Sequence, residues 1–216
     1  MIPVKAVLFD FGQVLSLSAD PVVWQQIRAI SDLSEADLQR GYWGHRHAYD
    51  RGTLSGQSYW HQVATDSQAI FTPAQVADLI AADVELWSRL NLPMVEWAQR
   101  LQRAGVRTGV LSNIGDAMAD GLLAKFDWIR AFDHCTWSYS LKLAKPEAAI
   151  YHHAAQGLAT DHSQILFIDD KQENVEAAEA TGMQAIQYTS HPAFEQEMSR
   201  RGLDSLLHLS PAPATR

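Results

Sequence analysis

The chain has 216 residues, 47% of them hydrophobic and 19% charged, with a formal net charge of −8. That length suits one well-filled core plus a smaller insert, and the surplus of acid argues against nucleic acid and membrane lipid as partners. No apolar run approaches the roughly 18 residues of a membrane span, the first run is too short for a signal sequence, and a lone cysteine, Cys135, fits a reducing compartment, so a cytoplasmic monomer or homodimer is expected.

Val4 to Phe9 is a short run of mostly apolar residues, the pattern of a buried strand in a parallel sheet, and it ends at Asp10. Gly12 follows at once and is expected to permit a tight turn. From about Asp20 to Leu90 apolar residues recur at helical spacing, as in Val23, Ile27 and Ile30 or Val76, Leu79, Ile80 and Val84. Ser34 with Asp37, and Thr72-Pro73, mark helix starts. About four helices and no strand are predicted there, too many for one crossover between parallel strands. Residues 16–91 are therefore expected to be an inserted helical cap, and residues 1–15 and 92–216 the core domain.

After Pro93 strands and helices alternate. A helix over Met94 to Ala104 leads to a strand ending at Ser112-Asn113, then a helix from Asp116 to Lys125 and a weak strand near His134 to Trp137. A helix follows Lys145-Pro146, and the apolar run Ile165 to Ile168 ends in Asp169-Asp170. A helix from Asn174, a last strand over Gln184 to Tyr188 and a helix from Pro192 complete the pattern, with a Pro/Ala-rich, disordered tail expected from Ser210. The fold class is α/β, a doubly wound parallel sheet with a helical insert.

Ligands of open α/β sheets bind at the carboxyl ends of the strands. Those ends here carry Asp10, Ser112 with Asn113, and Asp169 with Asp170, and Lys145 opens a helix on the same side. Clustered carboxylates repel one another unless a cation joins them, and all-oxygen ligands favour Mg²⁺, which bridges to substrate phosphate. A carboxylate can attack phosphorus, while a hydroxyl, backbone N–H groups and a lysine hold the phosphoryl oxygens. The set points to phosphoryl transfer on a small phosphorylated substrate.

Four segments in order resemble the motifs of the haloacid dehalogenase superfamily. They are Phe9-Asp10-Phe11-Gly12-Gln13-Val14-Leu15, Val110-Leu111-Ser112-Asn113, Lys145-Pro146-Glu147 and Phe167-Ile168-Asp169-Asp170 with Asn174 beyond. The resemblance implies a Rossmann-like core with a C1-type cap and Mg²⁺ as cofactor. It implies Asp10 as nucleophile and metal ligand, the Gly12 carbonyl and Asp170 as further ligands, and Asp169 and Asn174 as supports or ligands through water. Ser112 and Asn113 are implied to bind the phosphoryl group and Lys145 to balance charge. The first motif most resembles the branch of the bacterial α-glucose-1-phosphate phosphatases and the N-terminal domain of soluble epoxide hydrolase, which implies a sugar phosphate. Most phosphatases of the superfamily carry an aspartate where this chain has Gly12, so the proton donor is unassigned.

Other readings of the same residues carry less. Asp10-Phe11-Gly12 spells a kinase metal motif but lacks a glycine-rich loop before it. His45 and His47 do not share a helix face; Trp43 and His47 are instead candidates for substrate contact from the cap. A metal-free 2-haloacid dehalogenase and a non-catalytic binding module are the rival functions. The Asp169-Asp170 pair speaks against the first and intact Asp10, Lys145 and Asp170 against the second.

Overall fold

The computed structural model describes residues 3–209; the tail expected to be disordered lies outside them. Five strands, β1 (Ala6–Phe9), β2 (Arg107–Ser112), β3 (His134–Trp137), β4 (Ile165–Asp169) and β5 (Gln184–Gln187), form one parallel sheet in the order β3-β2-β1-β4-β5. Every residue of β1 and β4 is fully buried, as expected for apolar strands covered on both faces. Phe9 lies opposite Val110 on one side and Ile168 on the other. Asp10, Ser112 and Asp169 thus emerge within one residue of the same sheet edge.

Four helices follow β1: α1 (Pro21–Ser31), α2 (Glu35–Asp50), α3 (Gly56–Asp66) and α4 (Pro73–Leu86). Their starts have local causes. Ser34 accepts the Asp37 N–H, and Thr72 and Gln75 satisfy each other's backbone ahead of Pro73. These helices bury a cluster of their own, with Ile27, Tyr42, Tyr59, Trp60 and Leu79 at its centre.

The remaining helices are α5 (Leu92–Arg103), α6 (Asp116–Lys125), α7 (Ser138–Leu141), α8 (Ala148–Gly157), α9 (Gln172–Ala180), α10 (His191–Arg200) and α11 (Asp204–Leu207). α5, α6, α10 and α11 cover one face of the sheet, and α8 and α9 the other. The four-residue helices α7 and α11 escape a periodicity reading because they span about one turn. No helix of the described residues is long and apolar enough to cross a membrane.

The turn after β1 departs from expectation. Gly12 has an ordinary φ of −64°, and it is Gln13 that takes the left-handed conformation, with φ 59°. A side chain in that region costs about 1–2 kcal/mol; the Gln13 amide offsets it by donating to Asp170 at 2.7 Å. A Cβ on Gly12 would meet nothing within 4 Å.

The helices α1 to α4 are tied to the elements around the sheet at several points. The Tyr49 hydroxyl accepts the Met118 N–H at 3.1 Å, Asp116 accepts the Gly56 N–H at 2.9 Å, and the Ser138 hydroxyl donates to the Asp50 carbonyl at 2.5 Å. Arg51 pairs with Glu147, beside Lys145. The Tyr49 ring lies so close to Gly115, at the start of α6, that a Cβ there would sit 2.1 Å from a ring carbon. Gly115→Ala should therefore push Tyr49 and its helix away and destabilise the protein by about 1–3 kcal/mol. The melting temperature should fall by roughly 2–4 °C per kcal/mol. An unchanged melt would show that the insert shifts freely at this contact.

Candidate active site

The site is built where β1, β2 and β4 end. Asp10 is 7% exposed, Lys145 4% and Asp169 0%. The Lys145 ammonium lies between the two carboxylates, 2.9 Å from Asp10 Oδ1 and 2.6 Å from Asp169 Oδ2. Asp169 Oδ1 accepts the Lys171 N–H at 2.8 Å and the Asn174 amide at 2.9 Å. Both of its oxygens are thus held by the protein. Asp10 differs. Its Oδ1 takes the Lys145 bond and the Phe11 N–H at 2.7 Å, so both bonds fall on one oxygen.

The carboxylates of Asp10, Asp169 and Asp170 can bring one oxygen each within 4.8 Å of one another. One lysine does not neutralise three acids. Burial pushes the Asp10 carboxyl up to about 7, against the pull of Lys145 and with the help of Asp169 and Asp170. Asp170 is raised as well, by burial first and by Asp169 next. Burial opposes the charge on Lys145, but Asp10 and Asp169 outweigh it and hold the ammonium above its ordinary range.

The residues fit a divalent cation. Asn174 is 3% exposed, and its Oδ1 has no hydrogen-bond partner although its Nδ2 is engaged with Asp169. An orphaned acceptor beside a carboxylate cluster suits a water of a metal's hydration shell.

A cavity of about 300 Å³ opens over this cluster, lined from below by Asp10, Gly12, Ser112, Lys145 and Asp170. From above, the insert contributes Trp43, Arg46, His47, Asp50 and Trp87, and α6 adds Met118 and Leu122. Every residue singled out from the sequence lies at this cavity or, as Asp169 does, directly behind it. Lys142, the other lysine of that segment, reaches the Gly52 carbonyl instead. Asn113 lines the cavity with both amide ends occupied: Nδ2 donates to the Lys145 carbonyl at 3.0 Å, and Oδ1 accepts the Lys145 N–H at 2.8 Å. It thereby positions the lysine.

Sequence reasoning missed Gln13, Arg46, Asp50 and Lys171. Gln13 could have been noticed as a polar residue in an apolar turn. Arg46 and Asp50 are an i, i+4 pair, a spacing usual on any solvated helix, and nothing local shows that they face inward.

The sequence profile of the haloacid dehalogenase-like hydrolases matches residues 4–182. The chain is 26% identical over 200 residues to the sesquiterpene phosphatase AstK of Aspergillus oryzae, covering 90% of this chain and 94% of that protein. A HAD family enzyme of Bacteroides thetaiotaomicron, solved in complex with magnesium and inorganic phosphate, superposes with a TM-score of 0.71 at 19% identity over 87% of this chain and 96% of that one. L-2-haloacid dehalogenase of Xanthobacter autotrophicus superposes with a TM-score of 0.62 at 16% identity over 99% and 91%. At these identities the two structures bear on the fold.

The charge balance at Lys145 can be tested by stability alone. Lys145→Met should cost about 3–5 kcal/mol at pH 8, because it leaves buried carboxylates without a counter-charge. A carboxyl with a raised folded pKa stabilises the fold at low pH and loses that contribution as pH climbs from its unfolded value, 3.8, through its folded one, about 7 for Asp10. The variant's acids are raised further, so its deficit should shrink towards pH 5. Denaturant unfolding in chelator at both pH values measures this; a deficit independent of pH would mean that only packing was lost.

Proposed function

Because the chain belongs to the haloacid dehalogenase-like hydrolase family, and so is a hydrolase, we propose that it is a Mg²⁺-dependent phosphatase working through an aspartyl phosphate on Asp10. The observation that carries this reading is the buried Asp10–Lys145–Asp169 cluster with Asp170 beside it and an orphaned Asn174 oxygen. The phosphatase among its relatives supports it.

In this reading an Asp10 carboxylate oxygen attacks phosphorus as the bond to the alcohol breaks, and water then opens the acyl phosphate to release inorganic phosphate and restore Asp10. Lys145 keeps Asp10 oriented and offsets charge where the phosphoryl group sits, and Ser112 at the end of β2 offers a hydroxyl to its oxygens. Asp10, Asp170 and the Gly12 carbonyl would hold Mg²⁺, with Asp169 and Asn174 supporting them from behind. The ion supplies the positive charge that lets a phosphate dianion approach three carboxylates. The four-helix insert serves as a cap that closes over the substrate and selects it.

The alcohol half of the substrate meets a different wall. Trp43, Trp87, Ile114, Met118 and Leu122 line the same cavity. Arg46 and Asp50, which line the cavity too, are paired with each other at 2.9 Å. This lining, together with the sesquiterpene phosphatase among the relatives, favours a phosphate monoester of an apolar, isoprenoid-like alcohol over the sugar phosphate implied by the motif resemblance. The rival dehalogenase reading predicts halide release from 2-chloropropionate without metal.

Asp10→Asn should abolish phosphate release, and chelator should abolish it in the wild type. Mg²⁺ should raise the melting temperature of the wild type but not of Asp170→Ala; a hundredfold excess over Kd corresponds to about 2.7 kcal/mol. Chelator-resistant turnover of 2-chloropropionate would overturn the reading. In a second comparison, farnesyl phosphate should be hydrolysed with a higher kcat/KM than glucose 1-phosphate. Trp43→Ala should lower the former by roughly tenfold, from about 1.5 kcal/mol of lost apolar contact. A preference for the sugar phosphate would restore the sugar reading.

A further inference from the structure

Release of an alkyl alcohol requires a proton on the departing oxygen, and the water that opens an aspartyl phosphate must lose one. Gly12 has none to exchange. Most of the protic groups around the cavity already have tasks. Asp10 attacks, Asp170 is a ligand in the reading above, and Lys145 is bonded to two carboxylates. Arg46 stays charged and His47 is exposed, near Glu147.

Asp50 differs from all of these. It is the last residue of α2, it lines the cavity together with Asp10 and Gly12, and its side chain is 16% exposed. Arg46 Nε donates to its Oδ1 at 2.9 Å, and among the described residues no hydrogen bond falls on its Oδ2. Arg46 is itself fixed, 3.2 Å from each oxygen of the buried Asp83 and 2.6 Å from the Tyr42 hydroxyl. Two carboxylates share one guanidinium, an arrangement more costly than a simple pair if both are ionised.

Resting on the phosphatase reading, we propose that Asp50 carries the protons of the reaction. Its carboxylic acid protonates the leaving alcohol oxygen as the Asp10–phosphorus bond forms. The resulting carboxylate takes a proton from the water that attacks phosphorus, and inorganic phosphate leaves with Asp10 and Asp50 restored. The acidity suits both directions. Burial raises the Asp50 carboxyl to about 6, with Arg46 and Lys171 pulling it down and Asp83 pushing it up, so both forms are accessible near neutral pH.

The two steps separate in transient kinetics. With 4-nitrophenyl phosphate, whose leaving group needs no acid, Asp50→Asn should keep the initial burst of nitrophenolate and then turn over slowly, since water activation is lost. With an alkyl phosphate the same variant should show no burst of alcohol, and turnover should fall about 10²–10⁴-fold. A burst slowed as much as alkyl turnover, or alkyl turnover at the wild-type rate, would overturn the assignment. A measurement on the wild type is independent of how the variant folds. The single-turnover phosphorylation rate should depend only weakly on leaving-group pKa, and a steep dependence would mean that no acid acts on the leaving oxygen. The wild-type burst, absent in Asp10→Asn, reports on the phosphatase reading itself, so the failure of either idea is recognisable.

Discussion

A buried ammonium between two buried carboxylates organises this protein. Lys145 is held by Asp10 and Asp169, from adjacent strands, in a place where any of the three charges alone would be costly to keep from water. The arrangement depends on sheet order. β1 and β4 are neighbours although more than 150 residues separate them in the chain, and their register brings Asp10 and Asp169 out at one level. The lysine comes from the loop before α8 and is placed through its own backbone by the Asn113 amide at the end of β2. Three strands, one loop and one side-chain bracket converge on a single cation.

The balance is incomplete. Three acids face one lysine, and Asp10 and Asp170 are both raised by burial and by their neighbours. A site short of positive charge is suited to hold a metal ion. The protein divides the labour among the oxygens. Asp169 spends both of its oxygens on protein donors and acts as a brace, while Asp10 concentrates its bonds on one oxygen.

The insert completes the cavity with groups of another kind. The sheet domain supplies the charged floor, and the insert with α6 supplies an aromatic and aliphatic wall in which the Arg46–Asp50 pair is embedded. The contacts that seat the insert are Tyr49 on Gly115 and Met118, Ser138 on Asp50 and Arg51 on Glu147, and of these residues Asp50 and Met118 line the cavity. Whatever moves the insert moves Asp50 and Trp43 relative to Asp10.

The sequence alone determined the parts governed by local physics. Apolar runs of four residues ending at Asp10 and Asp169 are legible because buried parallel strands are apolar throughout, and the helices of the insert because a 3.6-residue period and N-terminal caps mark them. The motif order carried the family. Tertiary structure decided what depends on approach between distant segments. It gave both Asp169 oxygens to protein donors and turned Asn113 towards the lysine backbone. It moved the strained turn residue from Gly12 to Gln13, because a side-chain bond to Asp170 across the site compensates a conformation that sequence statistics assign to glycine. It also turned Arg46 and Asp50, an ordinary surface pair by spacing, into the cavity that Asp10 lines. Periodicity identifies which face of a helix is apolar, but only the packing of distant segments against one another decides what a polar face confronts.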